Sequence, residues 1–232
     1  MIPDLSWLLT LAAIGFIVVA TVLTAIRPLV VDRRKSTRKP TGTKRERLTS
    51  GIDGAHRIRL RITERSPDTV SVRARALGIV PGYQYVFVFD QLLASLSESA
   101  NRAVMAHEVA HHRGWHPLLR VVLLAVALIG WPLAIASGVP YALVGGMGAL
   151  PLYVLFVCWI ERQTEYFADA YAGRQVGYDS MIDALNYLKK TKSGRQQSRF
   201  AGLLATYPSF AERIDHLKDS AEEDDYDQGG LE

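Results

Sequence analysis

His107-Glu108-Val109-Ala110-His111 sets two imidazoles four residues apart. On a helix both project from one face and can grip a single metal ion, with a glutamate beside the first. Zinc held by three protein ligands keeps a fourth position for water and performs hydrolysis, whereas a structural zinc closes all four positions, usually with cysteines. Cys158 is the single cysteine, so a closed cysteine site is excluded, as is an intrachain disulfide. Chance placement in a chain with six histidines yields this three-point pattern only about 0.007 times, so the motif carries weight.

Two histidines are half of such a site. Glu161, Glu165 and Asp169 recur at i, i+4 and i+8 on a later helical stretch and are candidates for the third ligand. His112 projects about 100° away from His111 around a helix, and His116 lies beyond Gly114. The extension His-x-x-Gly-x-x-His needs a third histidine where Pro117 stands, which rules that variant out. Spacing prefers Glu165 to Glu161 only narrowly, as the one lying a turn further along.

The elements that must position these residues are set by three apolar blocks, Leu5 to Val31, Leu118 to Ala136 and Tyr141 to Ile160. Each has about the 20 residues that a helix needs to cross a hydrocarbon core of about 30 Å. The first opens with Asp4 and ends without a small-x-small cleavage site, which favours a retained anchor over a cleaved signal peptide. Basic residues follow it at once, from Arg33, Arg34 and Lys35 to Lys44, Arg45 and Arg47, while none precedes it and none lies in Ser137 to Pro140. The positive-inside tendency then predicts three spans with the N-terminus outside and the C-terminus cytoplasmic. Three crossings put the histidine motif and Glu165 in one cytoplasmic compartment. The net charge of +4 is concentrated in that juxtamembrane segment, where it suits anionic headgroups of the lipid bilayer. No nucleic-acid motif accompanies it, so nucleic acid is not an expected partner.

Between the spans, Arg57 to Thr63 alternates polar and apolar, and Thr69 to Ala76 and Tyr83 to Phe89 are rich in β-branched and aromatic residues. Ser66-Pro67-Asp68 and Pro81-Gly82 punctuate them as turns. Ser97 or Ser99 can cap a helix that carries the motif to Gly114, Met181 to Lys190 is helical before a loop at Gly194, and Pro208 starts a last short helix over Ser209 to Leu217. The expected architecture is mostly α with a small antiparallel β-meander, an α+β zincin-like catalytic domain, plus three transmembrane helices. Its parts are an anchor at 1–31, a basic linker at 32–56, strands and motif helix at 57–117, a membrane hairpin at 118–160, the second half of the catalytic domain at 161–220, and an acidic, disordered tail at 221–232.

With the anchor, the His107 to His112 helix leading into a membrane hairpin, Glu165-Tyr166-Phe167-Ala168-Asp169, and Tyr207-Pro208-Ser209-Phe210-Ala211-Glu212-Arg213-Ile214, the chain resembles the membrane metalloprotease family containing HtpX and the CAAX prenyl proteases. The resemblance covers most of residues 70–217. It implies that Glu165 completes the zinc site with His107 and His111, and that Asp169 accepts a hydrogen bond from the far nitrogen of a ligand histidine. The chain departs from the family at Tyr207-Pro208, where members often carry His-Pro, and at Arg75-Ala76-Leu77-Gly78, near which an Asn-Ala-Phe stretch is common.

The activity so implied is that of an integral-membrane zinc endopeptidase acting on protein or peptide substrates at the cytoplasmic membrane surface in membrane-protein quality control. Glu108 is the general base, Tyr207 or Arg213 a donor to the oxyanion, and the strand Thr69 to Ala76 an edge on which an extended substrate pairs. The alternative is an inactive membrane scaffold with a structural metal site. Glu108 argues against it, since a structural site has no use for a base beside its ligands.

Overall fold

The computed structural model describes residues 5–34, 37–64, 74–192 and 207–229. Among the described residues the α-helices are α1 (Leu5–Arg34), α2 (Gly42–Thr49), α3 (Asp90–Ser95), α4 (Glu98–Arg113), α5 (His116–Ala136), α6 (Ala142–Val176), α7 (Tyr178–Lys192) and α8 (Phe210–Gly229). The strands are β1 (Thr37–Arg38), β2 (Arg59–Thr63), β3 (Ala74–Leu77) and β4 (Tyr85–Phe89). The turn at Ser66-Pro67-Asp68, the first part of the second expected strand, Thr69 to Ala76, and the loop at Gly194 lie outside the described residues.

α1, α5 and α6 are long and apolar enough to cross a membrane, and their windows of highest hydropathy are at most 6% buried, so their apolar side chains face outward. Such a surface is stable only against lipid. α6 has 35 residues, about 52 Å at 1.5 Å per residue, against a hydrocarbon core of about 30 Å. Its last third therefore leaves the membrane as one unbroken rod. Trp131 Nε1 donates to the Ala142 carbonyl at 2.9 Å and closes the far end of the α5–α6 hairpin. Gly146 makes room for it, since a Cβ there would lie 2.0 Å from Trp131 Nε1.

The sheet differs from the expected meander. Strand order is β1-β2-β4-β3, with β2 and β4 parallel and both outer pairs antiparallel. Burial explains the swap: four of the five residues of β4 are buried, so it needs cover on both edges as well as both faces, while β3, with Arg75 and no fully buried residue, tolerates the edge.

α4 lies between the inner face of this sheet and the helices α6 and α7. Ala100, Ala103, Ala106 and Ala110 keep its girth small, so Leu60, Val86 and Val88 of the sheet and Ala172, Met181, Ala184 and Leu185 of the helices share one core with it. Ile214 and Leu217 bring α8 onto the same core.

The stretches expected as a basic linker and a disordered tail carry regular elements among the described residues. The basic stretch 32–56 contains β1 and α2, the latter capped by Thr41, whose side chain accepts from the Lys44 N–H. The acidic tail continues α8 to Gly229, because Asp224 takes hydrogen bonds from Arg174 on α6 and from Tyr178 on α7.

Candidate metal centre

Ser97 caps α4 by accepting from the Ala100 N–H, and the buried second half of the helix carries His107, Glu108 and His111. Glu165 and Asp169 stand one turn apart on the part of α6 that runs past Glu161, and Arg213 comes from the first turn of α8. A reciprocal cap starts α8: the Glu212 N–H donates to Ser209 Oγ at 3.2 Å and the Ser209 N–H to Glu212 Oε2 at 2.7 Å. Ser209, more than Pro208, is what sets the start of that helix.

His107 Nε2 and His111 Nε2 are 3.1 Å apart. Glu165 reaches both, with Oε2 at 3.7 Å from His107 Nε2 and Oε1 at 3.5 Å from His111 Nε2. Ligands bonded tetrahedrally to zinc at about 2.0–2.2 Å stand about 3.3–3.6 Å from one another. The three donors are spaced for one such ion, and their converging lone pairs repel unless a cation lies between them. Nitrogen, nitrogen and carboxylate oxygen are zinc's borderline choice of ligand.

Each histidine has a different neighbour behind it. Asp169 Oδ1 lies 2.9 Å from His107 Nδ1, within ion-pair reach but off the axis of the ring N–H. Burial disfavours a charged His107, yet the Asp169 carboxylate outweighs it and raises the imidazole above its ordinary range. Behind His111, Nδ1 meets His116 Nδ1 at 2.7 Å. Burial, with the positive charge of its neighbours, holds His111 well below the usual histidine range, so it is neutral and free to ligate.

Arg213 binds Asp169 in a fork, Nε to Oδ2 at 2.7 Å and Nη2 to Oδ1 at 2.6 Å, and its Nη1 lies 3.2 Å from Glu165 Oε2. Its guanidinium is turned onto two carboxylates. Glu108 is buried beside the cluster; burial pushes its carboxyl above the ordinary range, opposed by His107 and by the Ala76 backbone N–H that bonds it. That N–H belongs to the edge strand β3.

Of the other candidates, Glu161 is held by Arg120, whose Nε lies 2.8 Å from both carboxylate oxygens. It is thereby withdrawn from the ligand set. His112 donates from Nε2 to the Tyr85 carbonyl at 3.0 Å and fastens α4 to β4. Tyr207 is 53% exposed and stands within electrostatic reach of Arg120. Sequence reasoning missed the Ala76 N–H and the Arg120–Glu161 pair. A charge opposite a charge across two apolar blocks was the one available signal for the latter.

The sequence pattern of peptidase family M48 matches residues 60–221. Protease HtpX of Buchnera aphidicola subsp. Schizaphis graminum (strain Sg) is 32% identical over 76 residues, which cover 28% of this chain and 26% of that protein. In fold the chain is similar to the crystal structure of S. mikatae Ste24p, with a TM-score of 0.67 and 18% identity, covering 92% of this chain and 58% of that one. The matched regions thus span about a quarter of that HtpX and somewhat over half of that Ste24p chain.

Proposed function

This chain belongs to peptidase family M48, and from that premise we propose that it is an integral-membrane, zinc-dependent endopeptidase that cuts peptide bonds beside the membrane surface. The observation that carries the reading is the convergence of His107, His111 and Glu165 on one point, with the buried Glu108 next to it. A zinc ion held there supplies Lewis acidity, which brings the pKa of a water towards about 7 and stabilises negative charge on a carbonyl oxygen.

Glu108 takes the proton of the attacking water and hands it to the leaving amine. Its raised carboxyl makes it a better base than an exposed glutamate and a readier donor afterwards. Asp169 behind His107 fixes the ring orientation, and Arg213 holds Asp169 and Glu165 against their mutual repulsion. Tyr207 stands open to solvent, where its phenol is free to meet a bound substrate.

β3 is an edge strand of the sheet and its Ala76 lies beside Glu108, so an extended peptide pairing along that edge would lie close to the proposed base. The basic residues from Arg33 to Arg47 support a cytoplasmic face for the site. Its closeness to the end of α5 supports membrane proteins as substrates, in quality control.

The test is Glu108→Gln in the full chain in detergent, with zinc content and casein cleavage both measured. The expected result is retained zinc and cleavage reduced by at least about 10²-fold. Undiminished cleavage overturns the assignment, and absence of stoichiometric metal in the unsubstituted protein overturns the site.

A further inference from the structure

One buried histidine has no place in the mechanism above. His116 is the first residue of α5, is 6% exposed, and lies with its Nδ1 2.7 Å from the Nδ1 of His111, the nitrogen that faces away from the other ligands. We infer that His116 is the positioning residue for the ligand His111, fixing its tautomer and tying the metal centre to the membrane helix α5. The inference rests on reading the cluster as a zinc site.

Between two ring nitrogens at that distance one donates and the other accepts. If His111 ligates through Nε2, its proton must sit on Nδ1 and be donated to His116, whose own proton is then on Nε2. A neutral imidazole is a weaker acceptor than a carboxylate, so the two ligands differ: His107 is backed by the charge of Asp169, and His111 by a ring anchored in a span.

The backbone is shaped to bring that ring in. Trp115 takes a left-handed conformation, φ 54° and ψ 26°, which is uncommon and strained for a bulky residue. That turn joins α4 to α5 and leaves the His116 ring against His111, with the two Nδ1 atoms 2.7 Å apart. Gly114 leaves the space, since a Cβ there would lie 2.3 Å from His116 Nε2, although its own φ of −78° suits any residue. Phe167 of α6 closes the far side edge-on, with ring centroids 5.6 Å apart. Glycine at 114 and strain at 115 thus serve one placement.

The experiment compares the full chain in detergent with His116→Leu, His116→Asn and Gly114→Ala. Zinc affinity is read by chelator competition, and ligand geometry by the visible spectrum of the cobalt-substituted protein. His116→Leu and Gly114→Ala are expected to weaken zinc binding about 10–100-fold and to shift the cobalt bands. His116→Asn, which keeps an acceptor near the place of Nδ1, is expected to recover most of both. Nitrogen NMR of histidine-labelled, zinc-loaded unsubstituted protein needs no variant to fold, and should place the proton on Nδ1 of His111 and on Nε2 of His116.

Unchanged affinity and spectrum in the leucine and alanine variants overturn the inference, and so does a proton on Nδ1 of His116. Failure of the unsubstituted chain to take up zinc or cobalt overturns the metalloprotease reading itself, and this inference with it.

Discussion

Replacing Arg213 by methionine keeps much of the side chain's volume and removes its charge, which tests what balances the buried carboxylates. Glu108, Glu165, Asp169 and Arg213 are all at most 9% exposed. With neutral histidines their formal charges are −1, −1, −1 and +1, a net of −2 that one zinc ion brings to zero. Without Arg213 the zinc-loaded cluster holds −1, and the empty one loses the guanidinium that faces its carboxylates. Removing one partner of a buried ion pair costs about 3–5 kcal/mol, and about 2–4 °C of melting temperature accompanies each kcal/mol in a domain of this size, giving roughly 6–20 °C. The full drop is expected in EDTA, where nothing replaces the guanidinium. With zinc present the drop should be smaller, so the gap between zinc-loaded and stripped melting temperatures should widen. The assay is thermal unfolding in detergent with and without EDTA. Equal drops in the two conditions, or a drop of only a degree or two in EDTA, would refute the charge balance.

Gly146→Ala should loosen the far end of the α5–α6 hairpin by driving a methyl into Trp131, at a cost of about 1–3 kcal/mol, seen as a lower melting temperature with zinc affinity unchanged. Asp224→Asn should raise hydrogen exchange over 218–229 at neutral pH, because side-chain hydrogen bonds from Arg174 and Tyr178 hold the Asp224 carboxyl below its ordinary range. A depressed folded-state pKa gives stability that is full above the unfolded value near 3.9 and fades as pH falls through the lower one; exchange in the unsubstituted chain should rise on that acid side, and the asparagine variant should show no such step. Added protease should digest the part of the chain that follows α6 in inverted membrane vesicles and spare it in right-side-out cells; the opposite pattern reverses the proposed orientation.

Local pattern carried a large part of this protein. Side-chain period on a helix is set by backbone geometry alone, so His107 and His111 announce a shared face without any fold around them. Hydropathy works the same way: a stretch of about 20 apolar residues answers to bilayer thickness, and the helices α1, α5 and α6 contain the three blocks with shifts of a few residues. The strands β2, β3 and β4 too were visible by alternation and β-branching, to within a few residues where they are described, whereas β1 lay unseen in the basic stretch.

Pairing was not visible, because a strand's neighbours depend on what covers it from a distance. β4 moves between β2 and β3 to bury Tyr85, Val86, Phe87 and Val88, which a reading of turns in sequence order has no means to foresee. The tail misled for a related reason. Its acidic composition suggests disorder, and one carboxylate meeting Arg174 and Tyr178 from elsewhere in the chain makes it a helix.

The amino-acid sequence by itself determined the chemistry on offer, two imidazoles and a carboxylate base on one helix between apolar spans, because residue type and helical period are local properties. Only the tertiary structure decided which groups meet. Glu165 faces both histidines while Glu161, one turn away, is drawn off by Arg120, and Arg213 turns to carboxylates 44 and 48 residues distant in sequence. His116 comes back upon His111 through a left-handed tryptophan and a glycine that yields space. Such contacts are set by chain reversals and by competition among buried charges for partners, and neither is written in the spacing of residues along the chain.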